Sequence, residues 1–169
     1  MSTHCDHARP AQLSRAALDK ALAKAEARSV ETGRRFTPQR RRALELLLEA
    51  GAPVKAYDLL PLLGEEGQVV KPATAYRALE FLESLGLVHR IPSLNAFVAC
   101  GHEQPSHAAA FLICDCCGLV QEFEPALDPS VSVAAAGSGF EIESLGVEVR
   151  GRCRACQKGA KAPRGRAAA

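Results

Sequence analysis

Two Cys-x-x-Cys pairs constrain the fold of this chain more than any other feature of its sequence. Cys114 and Cys117 form the first pair, and Cys153 and Cys156 form the second, on the far side of residues 118–152. Four thiolates with this spacing suit a tetrahedral Zn²⁺ ion, which would tie the start of the C-terminal region to its end. Such a link matters because a region of about 45 residues with few aromatic side chains buries a poor core by itself. We therefore predict a structural zinc site here, against the alternative of two independent cysteine pairs.

The composition is that of a soluble protein of one or two small domains. The chain has 169 residues, of which 47% are hydrophobic and 24% are charged. Its start, MSTHCDHARP, lacks the apolar core of a signal peptide, and no apolar run approaches the length of a membrane helix. We therefore expect a cytoplasmic protein with no membrane partner, in which metal ligation by the seven cysteines outranks disulfide formation.

The net charge of +2 is unevenly distributed. Residues 1–99 carry a balance of +3, residues 100–150 a balance of −7, and residues 151–169 a balance of +6. Basic segments attract phosphate backbones and acidic segments attract cations, which favours two functions on one chain. The alternative is ordinary solvated surface charge.

Helical patterns followed by a hairpin predict a winged helix-turn-helix domain in the first half of the chain. Capping and breaking residues mark the helices, since Gly33 ends the first, Thr37 caps the second, and Pro61 shortens or kinks the third. The predicted elements are helices over residues 11–32, 38–50, 55–63 and 73–86, then a hairpin, the wing, over residues 87–100.

The second half of the chain predicts a smaller region of strands and one helix. Residues 110–123 indicate two strands around a Cys-Gly turn, and residues 140–152 indicate one or two more. Between them Asp128 caps a predicted helix over residues 128–137. Residues 158–169 are small and basic, and we predict a disordered tail there.

The wing predicts a second group of metal ligands. If its turn is centred between Leu94 and Asn95, antiparallel pairing places His89 opposite Cys100. His107 lies a few residues further on, and Glu122 follows the first cysteine pair. One thiolate, two imidazoles and one carboxylate are a plausible tetrahedral zinc set of zero net charge.

The histidines of this set also have a structural interpretation. A lone histidine is more often a surface residue or a hydrogen-bonded core residue than a metal ligand. His102 is a rival ligand, because it lies between Cys100 and His107.

Five segments, in order along the chain, resemble the ferric uptake regulator family of bacterial metalloregulators, and in particular its zinc uptake branch. They are FTPQRRRALELL, KAYDLL, KPATAYRALEFLESLGLVHR, FLICDCCG and GRCRAC. The resemblance covers about residues 15–157. It implies an α+β fold with a winged helix and a small α/β dimerisation domain. It also implies a homodimer that binds double-stranded, palindromic operator DNA and represses zinc-uptake genes.

The resemblance assigns roles to individual positions and implies two zinc ions per subunit. Cys114, Cys117, Cys153 and Cys156 match structural ligands, and His89, Cys100, His107 and Glu122 match regulatory ligands. Tyr57 and Arg77 match residues that contact operator DNA, and Tyr76, Lys71 and Thr74 are further candidates.

The sequence also departs from the family pattern. The His-rich run that precedes the first cysteine pair in the iron and peroxide branches is missing from GHEQPSHAAAFLIC, which favours zinc. Pro61 and Gly64 stand where some relatives pair an acid with an arginine across neighbouring dimers, so that salt bridge is not expected here. The spacing from Cys100 to His107 is also short for the zinc branch.

The predicted domains follow from these assignments. They are a flexible N-terminal tail over 1–11, a winged-helix DNA-binding domain over 12–99, a hinge over 100–109, a zinc-binding dimerisation domain over 110–157 and the basic tail. Neither an enzymatic activity nor a small-molecule substrate is expected.

Three other functions remain open. One is a sibling regulator that responds to iron, manganese or peroxide. Another is a zinc-dependent hydrolase or deaminase, which would need an open coordination position and a general base. The third is a thiol redox sensor with a reactive Cys116.

Overall fold

The computed structural model describes residues 13–64, 70–102, 109–125, 128–142 and 145–159. His107 and most of the two predicted tails lie outside these residues. The helices are α1 (Arg15–Glu31), α2 (Pro38–Ala50), α3 (Ala56–Leu63), α4 (Pro72–Ser84), α5 (Pro129–Gly137) and α6 (Arg154–Gly159). The strands are β1 (Val54–Lys55), β2 (Val88–Ile91), β3 (Ala96–Ala99), β4 (Ala110–Cys114), β5 (Val120–Phe123) and β6 (Val147–Gly151). No helix among the described residues has the length and apolar character needed to cross a membrane.

Local capping chemistry sets the ends of the first two helices. The side chain of Ser14 accepts a hydrogen bond from the backbone of Ala17 at the start of α1. Thr37 does the same for Arg40 at the start of α2, and Gly51 ends α2 in the left-handed conformation. The predicted N-cap at Thr37 and the predicted end at Gly51 are therefore confirmed.

Helices α3 and α4 form the helix-turn-helix pair. Pro61 lies within α3, which continues for only two further residues and ends at Leu63. Lys71 is extended before Pro72, as the residue before proline prefers, and α4 begins there. Gly86, at φ +63°, follows the last turn of α4 and confirms the predicted end of this helix.

The larger hydrophobic core lies among α1 to α4 and the wing. Its buried side chains include Leu18, Leu22, Leu44, Leu47, Leu59, Leu79, Phe81, Leu82 and Val88. The inward face predicted for α4, with Ala75, Leu79 and Leu82, is fully buried. This packing fixes which side of α4 is left exposed.

The wing forms a three-stranded sheet in the order β1-β3-β2. Its register differs from the predicted one, since His89 pairs with Val98 and not with Cys100. The cause is a four-residue turn in which Pro92–Leu94 form a 3₁₀ turn and Asn95 is left-handed, which moves the centre of the hairpin. We call residues 92–95 the wing turn. The error amounts to two residues, so it leaves Cys100 on the predicted face.

The C-terminal sheet has the order β5-β4-β6. The antiparallel pairing of β4 with β5 confirms the predicted pair of strands, and β6 joins β4 in parallel. Asp128 caps α5 through the backbone N–H of Ser130, as predicted. The tail predicted over 158–169 was wrong at its first residues, because Lys158 lies in α6.

A second, smaller core joins the wing to the C-terminal sheet. It consists of Ile91 from β2 and of Phe111 and Ile113 from β4, with Leu94, Val98, Ala109 and Val120 packed against them. The wing therefore rests on one face of this sheet.

Candidate metal centres and nucleic-acid interface

The four predicted structural ligands lie together at one end of the C-terminal sheet. Cys114 ends β4, Cys117 lies in the turn after it, and Cys153 and Cys156 lie just before and within α6. Their sulfur atoms are all within 4.8 Å of one another, and we call this group the four-cysteine cluster. The parallel pairing of β6 with β4 brings the two cysteine pairs to the same edge.

The spacing of the sulfur atoms fits a zinc ion. A regular tetrahedron with metal–sulfur bonds of about 2.3 Å has edges of about 3.8 Å. The distance between the Sγ atoms of Cys117 and Cys153 is 3.8 Å. The backbone N–H of Cys153 donates to the Sγ of Cys114 at 3.2 Å, which stabilises a thiolate there.

The protonation of these thiols follows their surroundings. Burial raises the pKa of Cys114, but backbone N–H donors from Cys153, Cys117 and Cys116 outweigh it and lower the pKa to about 6. Burial, and hydrogen bonds with neighbouring thiols, raise the pKa of Cys156 well above its usual range. Four thiols packed this closely all ionise only when a cation balances the repulsion between the thiolates.

A second group joins the wing to the C-terminal sheet. His89 on β2, Cys100 just after β3 and Glu122 on β5 place their ligand atoms within 4.8 Å of one another. We call this group the His–Cys–Glu cluster. The side chains of His89 and Glu122 are only 16% and 11% exposed.

The distances in the His–Cys–Glu cluster are also close to those of a zinc site. The Nε2 of His89 lies 3.1 Å from the Oε1 of Glu122, and the Sγ of Cys100 lies 3.8 Å from the same oxygen. Tetrahedral zinc would separate such nitrogen–oxygen and sulfur–oxygen pairs by about 3.4 Å and 3.6 Å. The donors therefore need shifts of only a few tenths of an ångström.

Backbone groups hold this cluster in place. The N–H of Gly101 donates to the Oε2 of Glu122 at 2.9 Å, and the N–H of His102 donates to the Sγ of Cys100 at 3.3 Å. Sequence reasoning did not anticipate these two donors, because they depend on how the chain turns after β3. They orient the carboxylate and the sulfur toward His89.

The histidine of this cluster holds its proton tightly. Burial lowers the pKa of His89, but hydrogen bonds to Cys100 and Glu122, together with their negative charge, raise it to about 9. A cation at this position must therefore displace a proton from the imidazole.

Two further histidines, His102 and His107, were predicted as candidate ligands. His107 lies outside the described residues, so its role stays a prediction. The exposed His102 contributes its backbone to the site, and the ligand group found among the described residues consists of His89, Cys100 and Glu122.

The predicted DNA-contacting residues lie at the exposed sides of α3 and α4. Tyr57 is 73% exposed and Tyr76 is 41% exposed, so neither ring serves the core. Arg77 and Lys71 are exposed too, whereas Thr74 is half-buried. This surface suits phosphate contacts and base contacts by a helix in the major groove.

The three arginines at the start of α2 contact other residues of the same chain. Arg40 stacks on the ring of Phe81, 3.5 Å from its centre, and Arg42 lies 2.7 Å from a carboxylate oxygen of Glu45. Arg41 faces a glutamate of α1 at 3.6 Å. These contacts favour a structural role for the three arginines over phosphate binding.

The C-terminal region also exposes large apolar side chains on the side of the sheet that faces away from the wing. Leu112 and Val149 are 43% and 46% exposed, and they are paired neighbours on β4 and β6. Helix α5 and the residues after it expose further apolar side chains, which are Val131, Val133, Phe140 and Ile142. The exposed pair of Leu112 and Val149 gives this side of the sheet an apolar surface of the kind that marks an interaction site.

Comparison with known proteins agrees with these features. The sequence profile of the ferric uptake regulator family matches residues 31–150. The zinc uptake regulation protein of Escherichia coli (strain K12) is 40% identical over 137 residues, which are 80% of each chain. The peroxide operon regulator of Bacillus subtilis (strain 168) is 33% identical, over 76% of this chain and 88% of that relative.

A solved structure described as a zinc uptake regulator complexed with zinc and DNA matches with a TM-score of 0.76 at 40% identity. The match covers 83% of this chain and 95% of that one. Because the family profile spans most of the chain and both relatives exceed 30% identity, this protein belongs to the ferric uptake regulator family.

Proposed function

We propose that this protein is a zinc-responsive transcriptional repressor of the cytoplasm, which binds palindromic operator DNA as a homodimer and represses zinc-uptake genes. The observation that carries the proposal is the His–Cys–Glu cluster, whose donors come from both the wing and the C-terminal sheet. A zinc uptake regulation protein at 40% identity, and a zinc uptake regulator solved with zinc and DNA, support zinc as the cation.

We assign two zinc ions to each subunit. Cys114, Cys117, Cys153 and Cys156 hold the structural ion, and His89, Cys100 and Glu122 hold the regulatory ion with His107 as the fourth ligand. A thiolate and an imidazole favour zinc over the harder cation Mn²⁺. Bound at the regulatory residues, zinc supplies coordinate bonds to both domains and the charge that balances one thiolate and one carboxylate.

Metal binding at the regulatory residues sets the angle between the wing and the C-terminal sheet. His89 and Cys100 lie at the base of the wing, and Glu122 lies in the C-terminal sheet. When these donors are drawn together, the wing is held at one angle to the sheet. This is a shift within a population of angles, and its extent is limited by the differential affinity of the ligand for the closed arrangement.

DNA recognition depends on that angle because the protein acts as a dimer. Two recognition helices must enter successive major grooves, which lie about 34–36 Å apart. Helix α4 presents Arg77 and Tyr76, and α3 presents Tyr57, toward the duplex. The exposed apolar side of the C-terminal sheet, with Leu112 and Val149, forms the dimer interface.

The family consists of transcription regulators, so this protein is not an enzyme. The proposed ligand sets agree with that conclusion, since each offers four protein donors and leaves no open coordination position for a reaction.

Metal analysis paired with a gel shift tests the proposal. Zinc-loaded protein should retard an operator fragment from a zinc-transporter promoter, a chelator should abolish the shift, and zinc but not Fe²⁺ or Mn²⁺ should restore it. Cys100→Ser should keep the dimer and one zinc per subunit but lose the zinc-dependent shift, whereas Cys116→Ser should behave as wild type. A gel shift restored by Fe²⁺ but not by zinc would identify a sibling regulator that responds to iron. A gel shift that does not depend on any metal would exclude both the zinc-responsive and the iron-responsive regulator.

A further inference from the structure

The wing turn is attached to the C-terminal sheet by two side chains of β6. The backbone N–H of Ser93 donates to the Oε1 of Glu148 at 3.2 Å. The Nη1 of Arg150 donates to the Oγ of the same serine at 3.3 Å. Glu148 and Arg150 are two residues apart on one strand, so they project from the same face of the sheet. That face is the one on which the wing rests, because they pair with Phe111 and Ile113.

Arg150 also reaches the four-cysteine cluster. Its Nη2 lies 2.5 Å from the Oδ1 of Asp115, which occupies the turn between Cys114 and Cys117. The backbone N–H of Asp115 donates to the carbonyl of Gly151 at 2.8 Å, so the turn is fixed to the end of β6. One arginine thus connects the wing turn with the turn that carries two of the proposed structural ligands.

Glu148 occupies a position that is costly for a carboxylate. Its Oε2 is buried and accepts no hydrogen bond from any residue that the structure describes. Burial of such an oxygen without a partner is unfavourable, and an apolar residue beside Phe111 would avoid the cost. A carboxylate at this position accepts the hydrogen bond from the backbone N–H of Ser93, which an apolar residue cannot do.

We propose that Glu148 and Arg150 are positioning residues, which hold the wing at a second point and set the angle of the DNA-reading domain. The first point is the His–Cys–Glu cluster at the base of the wing, and Ser93 lies about 12 Å further along the hairpin. The small core of Ile91, Phe111 and Ile113 packs the wing on the sheet without fixing its direction, and the hydrogen bonds of the wing turn with β6 supply that direction. In this protein the wing turn serves the orientation of domains and not a phosphate contact.

The proposal rests on the proposed function, because the angle matters only if the regulatory residues bind metal. It makes a prediction that does not involve DNA. If the contacts of Glu148 and Arg150 with Ser93 favour the closed arrangement before metal binds, their removal must weaken metal binding at His89, Cys100 and Glu122. The reason is that these contacts and metal binding shift the same equilibrium between open and closed arrangements.

The test uses the full-length dimer with zinc in the four-cysteine cluster. Regulatory zinc affinity is measured by competition with a chelator of known affinity, and domain arrangement is measured by small-angle scattering without metal at the regulatory residues. The variant is Glu148→Ala with Arg150→Gln. The control for the Arg150 substitution is Arg152→Gln, which removes one positive charge just beyond the end of β6, whereas the double variant leaves the net charge unchanged.

We expect the double variant to bind regulatory zinc about 5-fold more weakly, because the loss of both hydrogen bonds with Ser93 is only partly offset by removal of the buried Oε2 of Glu148, and to show a larger radius of gyration. Arg152→Gln should match wild type in both measurements. If the double variant fails to form the zinc-containing dimer, Ser93→Ala decides, because it removes only one exposed hydroxyl and should still weaken zinc binding. Wild-type zinc affinity and scattering in the folded variants would overturn the proposal.

Two further outcomes are informative. Weaker operator binding by Ser93→Ala at unchanged zinc affinity would make the serine a DNA contact and would also overturn the proposal. If wild-type protein binds regulatory zinc but no operator, the proposed function fails, while the comparison of zinc affinities still tests the role of β6.

Discussion

Glu122→Gln tests the regulatory ligand set with the smallest change of shape. The carboxylate accepts from Gly101 at 2.9 Å through Oε2 and lies 3.1 Å from the Nε2 of His89 through Oε1. An amide keeps one oxygen for Gly101 and replaces the other with an N–H₂ group, which faces the histidine and cannot bind zinc. The substitution therefore removes one metal bond and one of the two negative charges of the cluster.

The expected loss of zinc affinity follows from the burial of Glu122 and His89. Removal of one partner from a buried charged pair costs about 3–5 kcal/mol, and the 16% and 11% exposure of these side chains argues for the lower end. A loss of about 3 kcal/mol corresponds to about 150-fold weaker binding of the regulatory zinc. The fold should persist, because the two hydrophobic cores do not include Glu122.

The assay is a zinc titration of the dimer against a competing chelator, with the zinc of the four-cysteine cluster counted separately by total metal analysis. Glu124→Gln is the matched control, since it removes the same charge from an exposed position two residues away. Equal zinc affinities for Glu122→Gln and Glu124→Gln would refute the assignment of Glu122 as a ligand.

Two other predictions concern the DNA-reading helix and the structural cluster. Arg77→Ala should weaken specific operator binding by about 1–3 kcal/mol in a gel shift at fixed salt, because it removes an exposed guanidinium from the recognition helix. Arg42→Ala, whose guanidinium already pairs with Glu45, should leave operator affinity near wild type, and equal losses in both variants would place Arg77 outside the interface. Cys153→Ser should release the structural zinc and convert the dimer to monomer in light scattering, because the cluster ties β4 to α6. The control Cys116→Ser should keep both the structural zinc and the dimer. A stable dimer of the Cys153→Ser variant would contradict a structural role for the four cysteines.

In the His–Cys–Glu cluster, a wrong strand register still placed the predicted side chains of His89 and Cys100 close together. Sequence reasoning placed His89 directly opposite Cys100, but the wing turn contains one 3₁₀ turn and shifts the pairing partner to Val98. A shift of two residues keeps the same face, and diagonal neighbours on one face remain within reach of long side chains. The two donors therefore still meet, and the backbone of Gly101 and His102 completes the geometry.

Features set by local chemistry were predictable from the sequence by itself. Ser and Thr residues before helices, Gly residues after them and the spacing within Cys-x-x-Cys pairs act over a few residues, so their effect is the same in most folds. The cap of α2 at Thr37, the ends of α2 and α4 at Gly51 and Gly86, and the related cap of α5 at Asp128 follow from such signals. Short elements without them were missed, as β1 and α6 show.

Only the tertiary structure decided which distant elements touch. The parallel pairing of β6 with β4, the approach of Glu122 to the wing and the contact of Ser93 with Glu148 join residues that are far apart along the chain. No local pattern encodes these contacts, and those between the wing and the sheet are stabilised by burial of the small core of Ile91, Phe111 and Ile113. The sequence thus determined most of the elements and the types of donor in the two clusters, and the packing of the wing on the sheet decided how the donors of the His–Cys–Glu cluster are brought together.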